Sequence, residues 1–298
     1  SRLTGGKGSL VLSPRQGYNM IQHSSHFRAG FTLVELAIVL VIIGLIIGSV
    51  LTGQDLIKAA EISRSIADLE RYNSAATTFR AKFGGLPGDL SATRASRYGF
   101  TPRDGEAGQG DGNTLIEGCD RREAALGCET AVFWIDLTDA ELISDAFTTD
   151  SSVADGNTEA PDITDLNTML EHVPRLSMRD TAMVHVMPVF DRNYFLIANF
   201  TTNADADIQL DQPLQALSAF EAAQMDNKMD DGNPHGGRVR AISDISPTAA
   251  GTTLDAGNAL AQTGECVLTG LSTGPSYNTT NSDFASELNC TIRLQSAF

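Results

Sequence analysis

From Phe31 to Leu51 the chain offers 21 consecutive residues whose only polar interruptions are Thr32, Glu35 and Ser49. About 20 apolar residues suffice for a helix to cross a bilayer, and a core helix of a water-soluble domain is seldom apolar on every face for so long. The run therefore predicts a membrane-spanning helix. It also divides two regimes of charge. Residues 1–30 hold Arg2, Lys7, Arg15 and Arg28 and no carboxylate, while the whole 298-residue chain has 21 Lys+Arg against 37 Asp+Glu. Removing those four bases leaves 17 against 37, a net −20 from residue 31 onward. The basic side is expected to stay in the cytoplasm, which places the acidic remainder across the membrane. Such acidity discourages a nucleic-acid backbone as the main partner, because phosphate binding needs a basic face. Only a local patch such as Arg238 and Arg240 softens that exclusion.

The cysteines agree with an exported location. Cys119, Cys128, Cys266 and Cys290 all follow the apolar run, in no zinc-site spacing, and their even number fits two bridges. Four cysteines allow three pairings. The sequence-local one, Cys119 with Cys128 and Cys266 with Cys290, is favoured because each pair lies within a loop-rich segment.

Glu35 resists a plain anchor reading. An ionised carboxylate inside an apolar stretch costs on the order of 1–3 kcal/mol, so it should be paired or functional. The segment Gly30-Phe31-Thr32-Leu33-Val34-Glu35, followed by the apolar helix, resembles the processing site of type IV prepilins and of type II secretion pseudopilins. That resemblance implies a membrane peptidase acting from the cytoplasmic side, cleavage between Gly30 and Phe31, and N-methylation of Phe31. It further implies assembly into a filament with other pilin or pseudopilin subunits on an inner-membrane platform. In such a filament the new amine of Phe31 and the carboxylate of Glu35, in a neighbouring copy or in the same helix, neutralise each other in a medium of low dielectric. Residues 1–30 are then the leader; it is longer than usual, and Met20, its only methionine, marks a candidate start. An ordinary secretory signal needs a small-residue cleavage site after the run, and Gly48-Ser49-Val50 matches that poorly.

Residues 54–83 contain neither Gly nor Pro, and Ile62, Ile66, Leu69, Asn73, Ala76, Phe79 and Phe83 recur at three- and four-residue steps. This predicts an amphipathic helix that continues the membrane segment, about 80 Å in all at 1.5 Å per residue. Without a mid-helix proline, any kink or melting would have to occur at Gly44, Gly48 or Gly53. The organisation is thus a leader at 1–30, an assembly helix at 31–53, its amphipathic outer half at 54–83 and a globular head at 84–298. Gly84-Gly85-Leu86-Pro87-Gly88-Asp89 stops the helix, and this Leu-Pro-Gly-Asp phrase also resembles a subgroup of bacterial pilin-like proteins. Loop is expected to Asn113, through Cys119–Cys128 and over 151–162, with a short helix starting near Val132. Residues 182–190 and 194–201 predict a hairpin around Asp191-Arg192-Asn193. Phe220–Lys228 suggests a helix, and 266–269 and 290–294 suggest strands joined by the second bridge. The fold class expected is α+β, pilin-like, with a small antiparallel sheet against the long helix.

Catalytic motifs fail on context. Gly270-Leu271-Ser272-Thr273-Gly274 has the nucleophile-elbow spacing, but Pro275-Ser276-Tyr277 follows where a helix is needed, and no His comes after His235. No enzyme activity and no required cofactor are expected. Asp226, Asp230 and Asp231, and a second group of Asp104, Glu106, Asp111 and Asn113, offer hard oxygen ligands of the kind that suit a structural calcium ion. Neither has EF-hand spacing, and Asp-Gly sequences also make ordinary turns. The reading from another class is a single-pass anchored periplasmic binding or sensing domain that never polymerises. It requires an intact N-terminus and has no use for Glu35. At 298 minus 30 residues the processed chain is large for a major pilin, which favours a minor or tip subunit.

Overall fold

The computed structural model describes residues 32–100, 102–103, 110–118, 129–147, 172–179, 181–189, 191–199, 216–242, 266–268, 274–279 and 290–298. The chain divides into two units, Ser1–Thr52 and Gly53–Phe298. Gly30, Phe31, Cys119, Cys128 and the loop expected at 151–162 lie outside the described residues.

In the first unit the described residues belong to the start of helix α1, Leu33–Phe83. No break falls at Gly44, Gly48 or Gly53, the places where any kink would have to occur; a Cβ at any of them would meet nothing. The hydroxyls of Ser49 and Thr52 donate to the carbonyls of Leu45 (2.8 Å) and Gly48 (3.1 Å). These polar groups are thus satisfied inside their own helix, as a span in hydrocarbon requires. Its large apolar side chains are bare, Leu33 at 87% and Leu45 at 70% exposure.

In the second unit α1 buries Ile62, Ser65, Leu69, Tyr72, Ala76, Phe79 and Phe83. The stripe is shifted from the expected one at two steps. Ser65 is buried because its hydroxyl accepts the Met178 N–H (3.2 Å), and Tyr72 because its ring meets Trp134 edge-on at 5.0 Å. Ile66 is only partly buried, and Asn73 accepts the Ala297 N–H at 2.8 Å instead of entering the core. Helix α2, Ala92–Tyr98, occupies a stretch read as loop. Gly99 closes it at φ +78, and Ser91 before it with Gly99 after it were the sequence signals overlooked. Helix α3, Glu129–Asp139, supplies the fully buried Phe133, Trp134 and Leu137.

The main sheet contains β1 (Met183–Val189), β2 (Arg192–Ala198), β3 (Val239–Ile242) and, last in the chain, β6 (Thr291–Gln295), in the order β1-β2-β6-β3, all antiparallel. The expected hairpin forms with a tighter turn, because Arg192 and Asn193 join β2 and pair with Val189 and Pro188. Pro188, which has no N–H to donate, is tolerated because β1 is an edge strand. Helix α4, Ala219–Met229, begins with a Ser218–Glu221 capping box. Strand β3 was not anticipated.

Cys266 and Cys290 are bridged as expected, but the strands beside them belong to different sheets. β4 (Val267–Leu268) pairs with β5 (Ser276–Tyr277), a segment read as coil, while β6 sits in the main sheet. The class is α+β: a long N-terminal helix with a small antiparallel sheet, the arrangement of the pilin-like fold. The indole of Trp134 lies 5.0 Å from Tyr72, 4.9 Å from Phe133, 6.0 Å from Phe147 and 6.2 Å from Phe195 between ring centroids, joining α1, α3 and β2.

Where α1 ends, three buried carboxylates, Asp89, Glu129 and Asp136, take over. Gly88, at φ +83, donates its N–H to Asp136 (2.7 Å), and a Cβ there would come within 2.4 Å of the Glu129 carbonyl, so only glycine fits. Asp89 accepts the N–H groups of Gly112 (2.7 Å) and Thr114 (2.8 Å), and Glu129 those of Gly110 (2.6 Å) and Glu117 (2.8 Å). Arg103 donates to Asp136 and to the Leu90 carbonyl. The segment 110–117 is therefore pinned by acids from two other segments. Burial pushes Glu129 up to about 8 and Asp89 up to about 6, against the opposing pull of those N–H donors.

Two outcomes follow. Trp134→Ala should cost about 3–5 kcal/mol in denaturant unfolding followed by circular dichroism. Folded-state values above the unfolded 4.5 of Glu129 and 3.8 of Asp89 mean that the folded chain holds these protons more tightly. Their stabilisation is complete below about pH 4 and is lost as pH rises through 6 and 8. Melting measured from pH 5 to 8.5 should fall by an amount equivalent to about 2 kcal/mol or more. Glu129→Gln should flatten that slope while lowering stability throughout, because its amide NH2 faces a backbone donor; an unchanged slope would refute the assignment to Glu129.

Candidate functional site

Thr32 stands just before α1, and its carbonyl accepts the Leu36 N–H at 3.2 Å, the first bond of the helix. Three residues on, Glu35 folds back. Its Oε2 accepts both the Thr32 N–H and the Thr32 hydroxyl at 2.8 Å, and the Glu35 N–H donates to Thr32 Oγ1 at 3.3 Å. This reciprocal pattern is a capping box, with Thr32 as N-cap and Glu35 as the third helical residue. A helix start carries unpaired N–H donors and about half a positive charge, and a carboxylate there answers both.

The sequence reading gave Glu35 a partner outside its own first turn and overlooked this local one. Thr-x-x-Glu ahead of an apolar run was the available signal. Among the described residues Oε1 of Glu35 accepts no hydrogen bond, so the cap leaves one oxygen open. The apolar flank beside it, Leu33, Val34, Ile38 and Ile42, is exposed.

The acidic residues come together in two places. Carboxylate oxygens of Asp226, Asp230 and Asp231 lie within 4.8 Å of one another, as do those of Asp89, Asp111 and Glu129. Of the second set only Asp111 was singled out from sequence; Asp89 and Glu129 are far from it in the chain, and Asp104 and Glu106 lie outside the described residues. In the first set Asp226 accepts the Gly232 N–H (3.1 Å) and the Tyr277 hydroxyl (2.9 Å), and Asp231 accepts the Asn233 N–H (2.9 Å). Asp230 accepts the N–H groups of Arg238 and Val239. Burial pushes Asp226 up to about 6 and Tyr277 further upward from its ordinary value.

The basic pair Arg238 and Arg240 flanks this loop. Arg240 lies opposite Arg293 across β3 and β6, and its Nε donates to the Gly237 carbonyl (3.1 Å). Residues 270–273 of the elbow-like motif lie outside the described residues.

Comparison with known proteins matches residues 26–51 to the prokaryotic N-terminal methylation motif. No curated protein and no solved structure matches the chain. The matched residues span the Gly30–Phe31 junction, the Thr32–Glu35 cap and the apolar half of α1. The chain thus carries the prepilin-type cleavage and methylation motif of type IV pilins and pseudopilins.

Proposed function

We propose that this protein is a structural pilin-like subunit, cut between Gly30 and Phe31, N-methylated at Phe31 and assembled through its N-terminal helix. The product is a type IV pilus or a type II secretion pseudopilus, in which this large chain serves as a minor or tip subunit. Before assembly it resides in the inner membrane with a cytoplasmic leader, its acidic head in the periplasm; after assembly the head reaches the periplasm or the cell surface. The observation that carries the reading is a capped helix start whose second carboxylate oxygen is open among the described residues, at the head of a helix whose apolar first part, residues 33–51, buries none of its large side chains. The open oxygen can receive the ammonium of a processed Phe31 while the other keeps the helix capped. Two charges that are costly in hydrocarbon then offset each other. A peptidase and an inner-membrane assembly platform are the partners this requires.

Mass spectrometry of the mature N-terminus tests the reading against an anchored domain that never polymerises: a chain starting at methylated Phe31 is expected, and a retained leader defeats it. Glu35→Gln separates the two roles of the carboxylate. The amide oxygen still accepts from Thr32, but the counter-charge is gone, so filament recovered by shearing should drop sharply while the helix stays formed. Undiminished filament in that variant would exclude the charge pairing.

The carboxylates of Asp226, Asp230 and Asp231 supply the hard donor set of a structural calcium ion, and we propose that they hold one. Support comes from the convergence of three acids within 4.8 Å. Five N–H and O–H donors already occupy part of their acceptor capacity, so binding should be weak, in the range of about 10⁻⁴–10⁻³ M found for extracellular modules. Calorimetric titration of the detergent-solubilised chain should show one site that Asp230→Asn removes; no heat at millimolar calcium refutes it.

A further inference from the structure

Charge is unevenly spread over the acidic part of the chain. From Arg71 to Arg103 there are six bases, Arg71, Arg80, Lys82, Arg94, Arg97 and Arg103, and a single acid, Asp89. That acid is 1% exposed and is spent on the N–H groups of Gly112 and Thr114. The rest of the chain beyond residue 30 keeps 11 of the 17 bases and 36 of the 37 acids. Arg71 and Arg103 are held by Asp145 and Asp136. Lys82, Arg94 and Arg97 come together where the end of α1 meets α2.

An aromatic side chain joins them. Lys82 Nζ stands 4.9 Å from the centre of the Phe83 ring, which meets Tyr98 edge-on at 5.1 Å, and Arg94 reaches over the turn to donate to the Gly84 carbonyl. Arg94, Arg97 and Tyr98 are three and four residues apart along α2, so they share one flank of it. All three cations are exposed. Phe83 and Phe100 are buried and brace the Tyr98 ring, yet Tyr98 leaves 48% of its surface to solvent. Each cation has an ordinary explanation by itself. Lys82 and Arg97 lie in last helical turns, where they answer the dipole, and Arg94 satisfies a helix-end carbonyl. None of those roles requires a braced, half-exposed ring set among the three.

We infer that this patch binds single-stranded nucleic acid, with a base stacked on Tyr98 and the flanking phosphates on Lys82, Arg94 and Arg97. Cations that track a backbone and an exposed ring on which a base can stack are the two parts that sequence-tolerant single-strand binding uses. An acidic peptide matches the charge but has no base to lay on the ring, and a duplex keeps its bases stacked on one another. The net charge of the chain discourages such a ligand for the surface as a whole, not for a region where the carboxylates are missing. The inference concerns the globular unit alone and does not depend on assembly.

The test is fluorescence anisotropy of a labelled oligothymidylate of about 15 nucleotides, within the site sizes of single-strand binders, titrated with the full-length, detergent-solubilised chain at several salt concentrations. The wild type should bind, with log affinity falling against log salt at a slope of about −2, roughly 0.7 for each of three phosphate contacts. Lys82→Gln with Arg97→Gln should flatten that slope by about 1.4; Arg94 is left intact because it holds the Gly84 carbonyl. Tyr98→Ala should weaken binding about fivefold or more, the loss of one stacked base, while Tyr98→Phe binds like the wild type. Circular dichroism checks folding, and Tyr98→Leu replaces Tyr98→Ala if that melts early. The four bases of residues 1–30 are the same in every variant, so binding through them would respond to none of these changes. No binding by the wild type, or binding that neither set of substitutions weakens, overturns the proposal. Binding weakened by the double Gln variant but not by loss of the Tyr98 ring shows a general polyanion patch and also overturns it.

Discussion

Helix α1 is held to the sheet of the globular unit through the burial of one indole. Trp134 meets Tyr72 of α1 on one side and Phe195 of β2 on another, and Phe298 closes against both Phe133 and Phe195 at 5.5 and 5.6 Å. Aromatic packing of this kind is non-directional enough to tolerate long connections and dense enough to fix a helix register. The register decides the rest. With Tyr72 committed to Trp134, the stripe of α1 turns so that Ser65 rather than Ile66 faces inward, and Asn73 is left at the boundary to hold the backbone of Ala297.

Around that apolar centre the connections are organised by carboxylates rather than by regular structure. Asp89 and Glu129 each gather backbone N–H groups from a Gly-rich segment that could not order itself by hydrophobic burial. The cost is electrostatic, for two acids are desolvated close together and both are driven toward the protonated form. Asp136, between Arg103 and the Gly88 N–H, has a counter-charge that these two lack among the described residues.

These facts set how far the sequence could be read. The apolar run, the amphipathic continuation, α3, α4 and the first hairpin were legible because each rests on local periodicity or local turn chemistry. Strand β3, strand β5 with its pairing to β4, and the inward turn of Ser65 and Tyr72 were not. Val239–Ile242 and Ser276–Tyr277 are too short to show a period, and they become strands only because β6 and β4 lie beside them. The Asp89–Glu129 group was hidden for the same reason, its members being 40 residues apart in the chain. The Thr32–Glu35 cap was different: its signal, Thr-x-x-Glu ahead of an apolar run, is local and complete in four residues.

The cap bears on how the N-terminal helix works. A carboxylate used only to answer a distant amine would be an unpaired charge in hydrocarbon until the partner arrived, at a cost of several kcal/mol on any single-subunit intermediate. A carboxylate already bonded to its own Thr32 N–H and hydroxyl is partly satisfied from the start. It need only add a second interaction through its open oxygen. Capping thus lowers the cost of holding Glu35 in the membrane without removing its charge. In the assembly proposed above, the residue at position 32 then matters for how long an unassembled subunit survives, and position 35 for whether it finds its register.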